Sequence, residues 1–248
     1  LRASFPMLHE FESKYGSVVR GAIKSRPKKG TPRAGLCSFR EGMETLPKAL
    51  AKRLVDSLVM ETRTLALRRG KPNGKPWFEI EVTRGDHRET LSANSVVIAT
   101  PTHAASQILK GISESFATAF ERIEYAPVAV VSAGYRHDQI QHAGDGFGFL
   151  VPRNEGLRVL GTVWNSSLFP GRAPEGMACL TSFAGGATDP EICEWSDDEI
   201  IRTICGEVGG VLGIKEKPAI TIIHRYAHAL PQYNLGHCEV VSALGTLT

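Results

Sequence analysis

Apolar residues recur at helical spacing over residues 5–23, at Leu8, Phe11, Tyr15, Val18 and Val19, which predicts an amphipathic helix. Residues 36–60 read as a turn followed by a second helix. Thr45 is placed to cap it, Pro47 falls in the first turn where its missing N–H costs little, and Leu46, Ala49, Leu50 and Leu54 form one stripe. The pattern then changes to period two. Residues 61–68 alternate Thr62, Thr64 and Ala66 against Leu65 and Leu67, and residues 77–84 alternate at Phe78, Ile80 and Val82, with a turn at Asn73-Gly74 between them and another starting at Gly85-Asp86. Val96, Val97, Ile98, Ala99 and Thr100 form a continuous apolar run, which predicts a short strand covered on both faces, as in a parallel sheet. Pro101 ends it, and residues 102–109 read as a helix.

Beyond residue 126 the pattern is mostly that of a sheet. Strands are expected over residues 129–135, 147–151, 158–164, 177–184 and 219–226, and the first four are separated by Gly- and Pro-bearing turns. Between the last two, a helix is expected over residues 196–213. Ser196 and Glu199 form its capping box, and Ile200, Ile201, Ile204, Val208, Val211 and Leu212 supply its apolar face. A strand-like run closes the chain at residues 240–247, and both ends of the sequence read as cut. The expected fold class is α/β (α+β), with a mixed, largely antiparallel sheet.

Composition changes this picture little. The chain has 248 residues, 42% of them hydrophobic and 22% charged, which suits a folded domain with a sizeable core. A net charge of +3, spread along the chain, gives no argument for a nucleic-acid partner. The five cysteines, Cys37, Cys179, Cys193, Cys205 and Cys238, contain no C-x-x-C pair, which disfavours a disulfide framework or a zinc site. His224 and His228 are four apart, but in a strand that spacing is too long for one ion. No apolar run is long enough for a transmembrane helix. The basic stretch over residues 24–33 reads as a solvated loop or as an anionic lipid contact beside an amphipathic helix.

Candidate chemistry is sparse. No G-x-G-x-x-G lies between a strand and a helix, so the chain offers no pyrophosphate seat, and there is neither a G-x-S-x-G elbow nor a phosphate-binding P-loop. Asp197, Asp198 and Glu199 sit together, but in the first turn of a helix they complement its dipole.

Several stretches, taken in order, carry a resemblance. Residues 38–50, S-F-R-E-G-M-E-T-L-P-K-A-L, are similar to the signature F-x-G-G-x-x-x-L-P-x-A-L, with Gly42 at the second Gly and Glu41 replacing the first. The others are residues 15–23 (Y-G-S-V-V-R-G-A-I), 97–101 (V-I-A-T-P), 146–152 (G-F-G-F-L-V-P), 167–174 (S-L-F-P-G-R-A-P) and 230–237 (L-P-Q-Y-N-L-G-H). Together they resemble the protoporphyrinogen oxidase family, oxygen-dependent FAD enzymes of the flavin amine oxidase superfamily, over essentially the whole chain.

The resemblance implies oxidation of protoporphyrinogen IX to protoporphyrin IX by FAD, with O2 reduced to hydrogen peroxide, on the route to heme or chlorophyll. It implies that Leu150, Val163 and Phe183 line the substrate slot, that the backbone of Thr64 pairs with the adenine, and that Cys238 stands where some members carry a Trp near the flavin. The Arg that holds a substrate propionate, the phosphate loop and the C-terminal flavin segment are implied to lie outside this sequence. The implied organisation is the end of a helical membrane-binding domain (1–35), a flavin-binding segment (36–104), a substrate domain (105–230) and a return to the flavin domain (231–248). It further implies peripheral contact with the cytoplasmic face of a bacterial inner membrane or with an organelle membrane, and it admits a homodimer. On this reading the isolated chain is colourless and inactive. Two other readings stand beside it: another oxidoreductase of the same fold, such as an amine oxidase or carotenoid desaturase, and a non-catalytic tetrapyrrole-binding protein.

Overall fold

A computed structural model describes residues 2–26, 35–70, 77–141 and 145–247. In chain order its elements are α1 (Pro6–Tyr15), α2 (Val18–Lys24), α3 (Thr45–Arg53), β1 (Arg63–Gly70), β2 (Trp77–Arg84), β3 (His87–Ala93), α4 (Thr102–Leu109) and α5 (Glu114–Glu121). There follow β4 (Tyr125–Arg136), β5 (Gly148–Leu150), β6 (Val159–Trp164), α6 (Asn165–Leu168), β7 (Met177–Gly185), α7 (Asp197–Leu212), β8 (Ile220–Pro231) and α8 (His237–Leu247). They form two compact units: Leu1–Leu36 with Pro47–Glu124 and Tyr233–Thr248, and Cys37–Leu46 with Tyr125–Gln232.

The first unit holds a three-stranded antiparallel sheet, β1-β2-β3, and most of the short helices. The single helix expected over residues 5–23 is two. Gly16 enters the left-handed region (φ 69°) and ends α1, and the Ser17 side chain then caps α2 by accepting from Arg20 N. In α4 and α5, the carboxylate of Glu121 accepts from the Ser106 hydroxyl at 3.0 Å and pairs with Lys110 at 3.1 Å. The turn read at Gly85-Asp86 joins β2 to β3, a strand whose exposed polar residues gave little signal, and α5 is a further helix beyond those expected.

Three local expectations fail in this unit or at its border. Residues 96–100 do not form a buried strand: no strand among the described residues pairs with them, and Val97 is 91% exposed. Residues 240–247 are not a strand but lie within α8, with Val240 buried at 3% exposure. Thr45 does not cap α3. It is the helix's first residue, and its buried hydroxyl has no hydrogen-bond partner among the described residues. The Leu46, Leu50 and Leu54 stripe of that helix is exposed. The Asn73-Gly74 turn and most of the basic stretch lie outside the described residues.

The second unit is a five-stranded antiparallel sheet of order β5-β6-β7-β4-β8. One face is its core. Ala129, Val131, Ala133 and Tyr135 of β4, with Leu180 and Ala184 of β7, pack under Ile200, Ile204, Val208 and Leu212 of α7. These helix residues are four of the six expected; Ile201 is half-buried and Val211 exposed. The capping box forms as read, with Ser196 N donating to Glu199 Oε2 (3.0 Å) and Glu199 N donating to Ser196 Oγ (3.4 Å). Glu207, one turn before the helix end, accepts from Arg158 N and Val159 N at 2.8–3.1 Å and so fixes the start of β6 to α7.

Candidate active site

The opposite face of the five-stranded sheet is the one turned away from α7. Its side chains follow from the register. Leu150 pairs with Gly161, Gly161 with Phe183, Phe183 with Val130, and Val130 with His224, making one row across all five strands. The next row on the same face is Gly148, Val163, Thr181, Ser132 and Ile222. Leu150, Val163 and Phe183 are therefore brought together on one face. Leu150 is 87% exposed at the sheet edge, while Val163 and Phe183 are half-buried.

This face offers shape and apolar contact. Neither row contains a carboxylate, and its central polar pair, Ser132 and Thr181, bond each other at 3.2 Å. Cys179, two residues along β7, is held above its ordinary pKa by burial, so it stays a neutral thiol rather than a nucleophile. Farther along the same face a cavity of about 180 Å3 opens between Ser132, Gly134, Cys179, Ile220 and Ile222, with Arg172 on its wall.

Two glycines set the relief of the face, and residue types had pointed to neither. A Cβ on Gly161 would stand 2.6 Å from the Phe149 carbonyl oxygen and 2.9 Å from Leu150 Cδ2. One on Gly148 (φ 133°) would stand 1.9 Å from the Thr162 oxygen. The available signal was a glycine inside a strand, which marks a close backbone approach. Arg172 was also missed. It lies in a Pro- and Gly-rich turn that reads as a loop.

The two positions that the resemblance assigns to the cofactor lie in the first unit. Thr64 is on β1 at a bulge: it pairs with Val82 while Ala66 pairs with Glu81, leaving Leu65 without an opposite residue. Cys238 is half-buried in the first turn of α8. Among the described residues no strand runs through a glycine-rich turn into a helix N-terminus, the arrangement that seats a pyrophosphate.

The family model for flavin containing amine oxidoreductase matches residues 1–242. Protoporphyrinogen oxidase 1, chloroplastic, of Arabidopsis thaliana is 30% identical over the whole of this chain and 50% of its own length. Coproporphyrinogen III oxidase of Bacillus subtilis is 26% identical over 98% of this chain and 52% of its own. A crystal structure from Exiguobacterium sp. 255-15 superposes with a TM-score of 0.72 at 23% identity, over 97% of this chain and 50% of that one. The chain thus spans about half the length of the curated relatives it matches. Its helices and antiparallel sheets agree with the expected fold class, and the cofactor that accompanies this ancestry is FAD. The chain belongs to the flavin containing amine oxidoreductase family.

Proposed function

We propose that this chain supplies the substrate wall of a protoporphyrinogen oxidase, with Leu150, Val163 and Phe183 packing against the macrocycle. The observation that carries the reading is the register: three residues far apart in sequence share one apolar sheet face. A porphyrinogen offers few directional bonds on its faces, so a largely apolar wall without carboxylates is the surface it needs. FAD, when bound, supplies the redox chemistry, taking six electrons in three two-electron steps, matched by reduction of three O2 to three hydrogen peroxide. The chain's part is to orient the ring and exclude water. The backbone at Thr64 would take the adenine, and Cys238 would sit at the flavin's edge. The first unit would contribute the flavin side and the second unit the substrate side.

The test is aerobic turnover. Flavin-loaded protein given protoporphyrinogen IX should gain porphyrin fluorescence faster than the spontaneous rate, with stoichiometric peroxide. Coproporphyrinogen III run in parallel assigns the ring substituents, because a curated relative carries that name. Oxidation of an amine and of neither porphyrinogen would replace this reading with an amine oxidase.

Membrane contact belongs to the same proposal. Val19 and Ile23 of α2, with Phe5 and Met7 at α1, are exposed beside Arg20 and Lys24, an arrangement suited to a bilayer surface. No helix among the described residues is long and apolar enough to cross a membrane. Co-sedimentation with anionic but not neutral vesicles tests the contact. The bacterial inner membrane is the proposed location, and sedimentation equilibrium tests the homodimer.

A further inference from the structure

The cavity beside Arg172 is too small for a macrocycle. Its roughly 180 Å3 lies below the ~300–1,000 Å3 of pockets that enclose a whole drug-sized ligand. It is continuous with the slot: Thr181, in the row of Val163, and Cys179, on the cavity wall, are two residues apart on the same face of β7, which is about 7 Å. Among the described residues that line the cavity, Arg172 alone carries charge.

The guanidinium is held in place but not neutralised. Its Nη2 donates to Ser38 Oγ and to the Phe39 carbonyl oxygen, both at 2.7 Å, and its Cζ lies 5.9 Å from the centroid of the Phe169 ring. Both acceptors are uncharged. Among the described residues no carboxylate pairs with Arg172, and Nη1 donates to none. A permanently charged, pre-positioned donor on an apolar wall is a seat for an anion at the end of an apolar body. The arm of a ring substituent is the right length, since a propionate carboxylate extends on the order of 8 Å from the ring centre at ordinary bond lengths.

We propose that Arg172 binds, in this cavity, a propionate carboxylate of the substrate other than the one whose Arg the resemblance places outside this sequence, and so fixes which edge of the ring points along β7. The inference rests on the porphyrinogen reading and deepens it. The ligand class is a tetrapyrrole bearing free carboxylates, and the same ring with esterified propionates should lose the contact.

The experiment compares protoporphyrinogen IX with its dimethyl ester in the flavin-loaded protein and in Arg172→Gln. The expected result is a KM about tenfold higher for the diacid in Arg172→Gln, an unchanged KM for the diester, and kcat within twofold for both. Lys217→Gln removes one positive charge from the same unit away from this face and should leave the diacid-to-diester ratio as in the wild type. An equal rise for both substrates, or none, would show that Arg172 only braces the turn, and would overturn the proposal. Should Arg172→Gln fail to fold, the wild type decides: equal KM values for diacid and diester also overturn it. If neither porphyrinogen is oxidised, the functional reading falls separately. The Arg172 claim is then read from fluorescence quenching by protoporphyrin IX and its dimethyl ester, where equal affinities refute it.

Discussion

Gly161→Ala tests the geometry of the slot most directly. The added methyl would lie 2.6 Å from the Phe149 carbonyl oxygen, against a usual carbon–oxygen contact of about 3.3 Å, so β5 must retreat by about 0.7 Å. Being the edge strand, β5 can do so. The bonds that flank this point, Val151 N to Leu160 O and Trp164 N to Phe147 O, are both 3.0 Å. A retreat of that size takes them to about 3.7 Å, beyond hydrogen-bond range. Two backbone bonds at roughly 0.5–1.5 kcal/mol each give a loss of about 1–3 kcal/mol, the range expected of overpacking. Thermal unfolding should fall by about 2–12 °C. Leu150 moves with β5, so the KM for the porphyrinogen should rise by roughly tenfold, about 1.4 kcal/mol. An alanine variant with unchanged melting and unchanged KM would show that β5 is not pinned against β6 as described, and the slot built on that register would fall with it.

Phe183→Ala should raise KM about tenfold and Phe183→Leu far less, since the second keeps most of the apolar contact; equal effects would remove Phe183 from the slot. Glu207→Ala strands the N–H groups of Arg158 and Val159 and should cost about 2–4 kcal/mol by chemical denaturation. The Ser196 side chain, and then its backbone, hold the Glu199 carboxyl below its ordinary value. Its stabilising contribution is therefore complete above the unfolded-state pKa and is lost as pH falls through the lower folded value. The Glu199→Gln variant should show a flatter melting-temperature profile than wild type below about pH 4.

How much of this could be read in advance depended on whether the sequence signal was local. Helix α7 was legible because its cap, its acidic first turn and its buried stripe all lie within 17 consecutive residues, Ser196 through Leu212. Strands β4, β6 and β7 were legible from alternation and from the Gly and Pro between them. The site was legible only by resemblance. Nothing in the spacing of Leu150, Val163 and Phe183 says that they share a face, because pairing partners decide it, and two irregularities intervene. The β6–β7 register shifts between Val159 and Gly161, and the β4–β8 register shifts between Ala126 and Val128. A one-residue slip at the first would turn Val163 to the opposite face. Arg172 was hidden for the opposite reason. Its turn composition is informative about the backbone and silent about where a guanidinium points.

The two failed strands share one physical cause with opposite outcomes. A short apolar run has no period, so sequence cannot say whether its backbone will bond to itself or to a neighbour. Residues 240–247 can bond to themselves: Ala243 and Leu244 are good helix formers, and Gly236 opens the turn, with Val240 N donating to its carbonyl oxygen at 3.1 Å. Residues 96–100 cannot readily do the same. Val96, Val97, Ile98 and Thr100 are β-branched, and Pro101 disfavours helix at the residue before it. The extended form is what remains, and extended backbone becomes a strand only beside another strand. The described residues provide none there, and Val97 stands in solvent. The expectation of burial failed at that position because burial is a property of the neighbour.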